Sequence, residues 1–253
     1  MHRQEILPAR GAPGVERSGE RGPGDACGIW CICARDSAAY PGGGAPGTGT
    51  VFSCRTPTSC MDDATALMLN HVRAALPASG AHGFDHTLRV VRLAEAIGAR
   101  EGADMAVLIP AAIFHDIARP VEEETGAPHE EAGARMAEAY LCSISYPADL
   151  VPGIFHAIRA HRYSSGVDPG TLEARVLSDA DNLDAMGAVG IARTFMQAGE
   201  KGGGILDATD HIRAKLVNLR GRMYTDTARE IAGKRHALLV AFLNALDDEV
   251  RGP

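Results

Sequence analysis

From Met61 to the end of the chain, apolar residues return every three or four positions, and no segment alternates apolar with polar. A helix repeats a face about every 3.6 residues and a strand every second residue, so this pattern calls for helices packed on helices. The fold class expected is all-α with short connections. Helices are expected from Asp62 or Asp63 to about Leu76, closed by Pro77, then over about 85–100 and over 103–119, stopped by Pro120. Further helices are expected near 129–142, 148–161, 171–185, 187–198, 207–222 and 226–249. Pro110 falls inside the third and removes one backbone donor, so a kink there would tilt whatever follows.

Residues 1–60 have another character. They hold 11 of the 29 glycines and 6 of the 14 prolines, and Pro41 to Gly47 can support neither helix nor strand. Too little apolar surface is present to offset the entropy of ordering them. A disordered extension rich in Gly, Pro and Cys is expected over 1–60, with one domain over 61–253. Met61 stands at the change and is a candidate for the true start. Five of the six cysteines lie in the extension, and Cys27, Cys31 and Cys33 lack the spacing of a zinc pair.

The net charge of -7 disfavours a general nucleic-acid binder or a protein that docks on anionic membranes. No apolar run reaches membrane-spanning length and no signal peptide opens the chain, so a cytoplasmic protein is expected. A homo-oligomer is compatible with everything in the sequence.

Chemistry concentrates at a few positions. His86 begins the stripe that continues through Val90, Leu93 and Ile97, so it faces inward. His115 and Asp116 follow the apolar run Ala111 to Phe114. Burying a carboxylate beside an imidazole is costly without a partner, and a divalent cation is a good one. Ser178 to Asp184 carries Asp179, Asp181 and Asp184 among apolar neighbours. Asp179 and Asp181 point to nearly opposite sides of a helix, so only one reaches a given ion. Asp184 shares the face of Asp181 and could orient a ligand histidine, a supporting role also open to Asp85. Two imidazoles and two carboxylates would leave coordination positions for water and a phosphate oxygen. A bound divalent ion makes hydroxide available near neutral pH.

The order His86, His115-Asp116, Asp181 resembles the HD superfamily of metal-dependent phosphohydrolases. The strings His82-Gly83-Phe84-Asp85-His86, Phe114-His115-Asp116-Ile117-Ala118 and Leu177 to Ala188 look like a small bacterial and archaeal branch of it, and the likeness spans about 66–250. The resemblance implies an HD-domain helical bundle and a divalent metal (Mn, Mg, Fe, Co or Zn). It also implies His86, His115, Asp116 and Asp181 as ligands, with Asp181 preferred over Asp179. Ala118 stands where the family usually has glycine, a small change. His115 and Asp116 would be central to catalysis, and the substrate would be a small phosphorylated molecule such as a nucleotide.

His129 and His161 complete a pattern similar to two-metal HD enzymes, in which Asp116 would bridge the ions. They could equally contact a substrate phosphate. Arg119, Arg162 and Lys201, the last opening a glycine-rich loop, are candidates for phosphate contact, and Tyr163 could stack on a base. Two alternatives stay open: a two-iron HD-type oxygenase, and an HD module that senses a ligand without catalysis.

Overall fold

The computed structural model describes residues 57–78, 83–162 and 165–252, the side chains of 57–62 excepted. Residues 1–56 of the extension expected over 1–60, and the stacking residue Tyr163, lie outside the described residues. Among those described, every regular element is helical: α1 (Pro57–Ala75), α2 (Phe84–Glu101), α3 (Met105–Phe114), α4 (Arg119–Thr125), α5 (His129–Ser143), α6 (Val151–Ala160), α7 (Leu172–Asp184), α8 (Gly187–Glu200), α9 (Ile205–Ala214), a 3-10 segment (Leu216–Arg222) and α10 (Asp226–Arg251).

The bundle is organised around α3. Its sequence MAVLIPAAIF has no polar face, and Leu108, Ala111, Ala112, Ile113 and Phe114 are fully buried. A helix apolar all round must be surrounded, and α3 packs against α1, α2, α5, α6 and α7. The end of α3 therefore delivers His115 and Asp116 to the middle of the molecule.

Pro110 does not break α3. Its missing N–H leaves the Ala106 carbonyl without its helical donor, and the Tyr146 hydroxyl donates to that oxygen at 2.7 Å. Burial, together with nearby Asp104, pushes the Tyr146 phenol up to about 12, so it remains a donor.

Four expectations need correction. First, α1 begins at Pro57, ahead of Asp62, and takes in the last residues assigned to the extension; proline suits a first helical turn because its missing donor is not needed there. Second, the helix expected over 103–119 is two elements. Residue 120 cannot donate to the Asp116 carbonyl, which instead accepts from Arg119 N at 3.0 Å, and the chain tightens into a turn. Pro120 then sits in the first turn of α4, so it opens a helix rather than closing one. Third, α6 begins at Val151 rather than near 148, with its proline again in the first turn. Fourth, the helix expected over 207–222 divides at Lys215. Leu216 and Leu219, both buried, use the threefold repeat of a 3-10 turn to face the core together.

One carboxylate of α7 anchors the helix that follows later in the chain. Asp179 is buried and accepts from Tyr224 N, Thr225 N and Thr225 Oγ1 at 2.8, 2.8 and 2.7 Å, fastening the start of α10. Where α7 turns into α8 the backbones nearly touch: a Cβ on Gly190 would lie 2.1 Å from the Ala185 carbonyl oxygen. Only glycine permits that approach.

Candidate metal centre

Five helices deliver side chains to one buried point. His86 comes from the first turn of α2, His115 and Asp116 from the end of α3, His129 from the start of α5, His161 from the end of α6, and Asp181 from α7. Of these, only Asp181 is appreciably exposed, at 27%, so the centre opens to solvent on its side.

The imidazoles are locked by what lies behind them. His115 Nδ1 donates to the Ala112 carbonyl at 2.8 Å, and His161 Nδ1 donates to the Ile158 carbonyl at 2.6 Å. A bond to a carbonyl requires the proton on Nδ1, so each Nε2 presents a lone pair inward. His86 Nδ1 donates to Asp184 Oδ2 at 2.8 Å. His129 Nδ1 faces Glu122 Oε2 at 2.9 Å and Glu130 Oε2 at 3.2 Å.

The inward atoms fall into two groups that meet at Asp116. His86 Nε2 lies 3.2 Å from His115 Nε2, 3.3 Å from Asp181 Oδ1 and 3.5 Å from Asp116 Oδ2. The other Asp116 oxygen, Oδ1, faces His129 Nε2 at 3.2 Å and His161 Nε2 at 3.9 Å. One ligand atom each from His86, His115 and Asp181 clusters closely enough for a cation, as does one each from Asp116, His129 and His161. Buried nitrogen and carboxylate donors aimed at a common point fit a divalent ion.

The charges follow the same logic. Burial opposes a proton on His86, but Asp116, Asp181 and Asp184 outweigh it and hold the imidazole up at about 10. Burial, reinforced by the charge of His86, lowers His115 to about 4. Without an ion, His86 is therefore charged, and its Nε2 proton lies between Asp181 Oδ1, Asp116 Oδ2 and neutral His115. Asp181 is held far below the usual carboxylate range: burial works against this, and the hydrogen bond from His86 prevails.

A supporting ring surrounds the centre. Arg89 Nε donates to Asp184 Oδ1 and Arg89 Nη1 to Asp85 Oδ2, at 2.8 and 2.7 Å, so Asp85 reaches His86 only through Arg89 and Asp184. Arg193 also donates to Asp184. Arg119 Nε donates to Asp116 Oδ1 at 2.9 Å. Glu122 collects Arg119 Nη1 and Arg162 Nη1, each at 3.0 Å. Arg89, Glu122, Glu130 and Arg193 carry no motif that marks them in the sequence. Spacing alone offered one clue, since Arg89 stands four residues from Asp85 on one helix.

Beside Asp181 opens a cavity of about 310 Å³, lined by Arg119, Arg162, Arg193, Lys215 and Arg222 among others. Lys201 is not part of this lining. It ends α8, where Gly202 at φ 76° and bonds from Gly202 N to Gly199 O and Gly203 N to Ala198 O close the helix. The glycines serve that cap.

The HD domain profile matches residues 83–186, which contain all six inward-facing side chains. YpgQ of Bacillus subtilis is 34% identical over 184 residues, covering 69% of this chain and 87% of YpgQ. The chain belongs to the HD superfamily. The crystal structure of YpgQ in complex with ADP superposes with a TM-score of 0.62 at 31% identity, covering 74% of this chain and 98% of that one. A predicted HD superfamily hydrolase from an uncultured Thermotogales bacterium gives a TM-score of 0.58 at 33% identity, covering 76% and 97%. Ribonuclease Y of Thermoanaerobacter pseudethanolicus is 34% identical over 106 residues, 42% of this chain but only 19% of that enzyme. The chain is thus an all-α HD protein and a metal-dependent hydrolase of the phosphohydrolase kind. Among the described residues no helix is long and apolar enough to cross a membrane.

Proposed function

We propose that His86, His115, Asp116 and Asp181 hold a divalent cation and that the chain hydrolyses a phosphate ester of a nucleotide or similar small metabolite. The observation that carries this reading is the meeting of His86 Nε2, His115 Nε2, Asp116 Oδ2 and Asp181 Oδ1 within a few ångströms, beside a cationic cavity. The cation, when bound, would lower the pKa of a water and offset phosphate charge.

The chain's own residues do the rest. Asp184, braced by Arg89 and Arg193, holds the His86 ring so that Nε2 faces inward. The Ala112 carbonyl does the same for His115. Arg119, Arg162 and Arg193 line the route from solvent and favour an anionic substrate. The charged side chains of the lining suit phosphate more than an apolar ester. The ADP complex of YpgQ supports a nucleotide in particular.

The test is a screen of phosphorylated metabolites against the full chain with manganese, magnesium, cobalt, iron or zinc, run beside Asp116→Ala. Phosphate or pyrophosphate release that requires the metal and vanishes in the variant is expected. Turnover that survives in a folded Asp116→Ala protein would overturn the mechanism.

A further inference from the structure

The half of the centre formed by Asp116, His129 and His161 has the donors for a second cation, yet a cation of the protein's own is already there. Arg119 Nε donates to Asp116 Oδ1, the same oxygen that faces His129 and His161. The guanidinium is held at its other edge as well, by Glu122 Oε2, and Glu122 also takes His129 Nδ1. Arg119 is only 19% exposed. Leaving Asp116 would break one buried charge-assisted bond and disturb a second.

Building on the four-ligand reading above, we propose that Arg119 takes the place of a second metal ion, so that the centre binds one divalent cation and its other half receives an anionic oxygen of the substrate. A divalent ion on Asp116 Oδ1 would sit against a fixed positive charge in a poorly solvated site, where like charges repel strongly. The remaining groups suit an anion. His161 Nε2 is buried and makes no hydrogen bond, and His129 Nε2 has only Asp116 Oδ1 before it, at 3.2 Å. His161 opens onto the cavity together with Arg119 and Arg162. A phosphate oxygen there would meet the guanidinium groups of Arg119 and Arg162, and a phosphate hydroxyl could donate to the inward lone pair of His161 Nε2.

The carboxylates of this half are already committed to protein cations. Glu122 holds Arg119, Arg162 and His129, and Glu130 lies near His129 and Arg162. The balance of charge is met from within the chain on this side. On the other side, His86 and His115 face Asp116 Oδ2 and Asp181, and Arg89 and Arg193 bond Asp184 behind His86.

The experiment is a manganese titration of the metal-stripped full chain, read by bound metal per chain and by electron paramagnetic resonance, which distinguishes an isolated ion from a coupled pair. The wild type should saturate at one isolated ion. Arg119→Ala and Arg119→Gln, checked for folding by circular dichroism, should take up a second, coupled ion. Arg119→Lys, which keeps the charge, should remain at one. Adding His129→Ala to Arg119→Gln should return the count to one. A coupled pair in the wild type would overturn the proposal while leaving the four-ligand site intact, and it can be read even if no variant folds. A single ion in folded Arg119→Ala and Arg119→Gln would also overturn it. No bound ion in the wild type would overturn both this proposal and the four-ligand reading.

Discussion

Asp184→Asn probes the centre from behind. The amide keeps the shape of the carboxylate and one acceptor oxygen but loses the charge facing His86 Nδ1 at 2.8 Å, Arg89 Nε at 2.8 Å and Arg193. Removing the carboxylate behind a ligand histidine costs roughly 10–100-fold in metal affinity, or about 1.4–2.7 kcal/mol. The fold loses as well. Charge-assisted buried bonds contribute roughly 1.5–3 kcal/mol each. The amide retains part of this, and both arginines keep some solvent, so a net loss of about 1–2 kcal/mol is expected. The pH dependence has a definite sign. Burial works to raise the Asp184 carboxyl, but the hydrogen bonds from His86 and Arg89 hold it well below the usual range. Its contribution is therefore full above about pH 4 and fades as the pH falls through the folded value. The stability gap between wild type and Asp184→Asn should be widest near neutrality and close in acid. Calorimetric titration with manganese and thermal melting by circular dichroism measure the two effects. A folded Asp184→Asn protein with unchanged manganese affinity would refute the claim that Asp184 sets a ligand histidine.

Four further outcomes are expected. Because His86 is charged up to about pH 10 without an ion, cation binding at pH 7 should release about one proton; calorimetry in buffers of different ionisation enthalpy measures this, and no release would contradict ligation by His86. Its raised value also means that, in the metal-free chain, the contribution of the His86 ion pairs to stability is full below about pH 6.5 and is lost as pH rises through about 10. Asp179→Ala should cost about 2–4 kcal/mol in chemical denaturation, since it strands the donors of Tyr224 and Thr225, while manganese binding per folded chain stays at the wild-type value. Tyr146→Phe should cost about 1 kcal/mol in the same assay, because Pro110 leaves no other helical donor for the Ala106 carbonyl.

Much of this was legible in the sequence, for reasons of period and composition. The fully apolar run of α3 could only be central, and the polar pair at its end had to emerge among the other helices. The three acids of α7 also separate by angle: Asp179 turns to α10, Asp181 to the centre and Asp184 to His86. The turn after Phe114 was not legible, because Pro120 can close one helix or open the next, and which occurs depends on where the Asp116 carbonyl finds a donor. The same turn forms α4 and brings Glu122 under Arg119, Arg162 and His129, so the hub joining them had no signature in spacing. Lys201 lies outside the cavity lining for a related reason. A glycine-rich run reads alike whether it receives a ligand or caps a helix, and here its backbone donors close α8 and open α9.

The most direct test of the account is a crystal structure of the full chain with manganese and its anomalous scattering. One peak is predicted, about 2.0–2.3 Å from His86 Nε2, His115 Nε2, Asp116 Oδ2 and Asp181 Oδ1. A map with no peak among those four atoms, from crystals shown by elemental analysis to contain bound manganese, would contradict it.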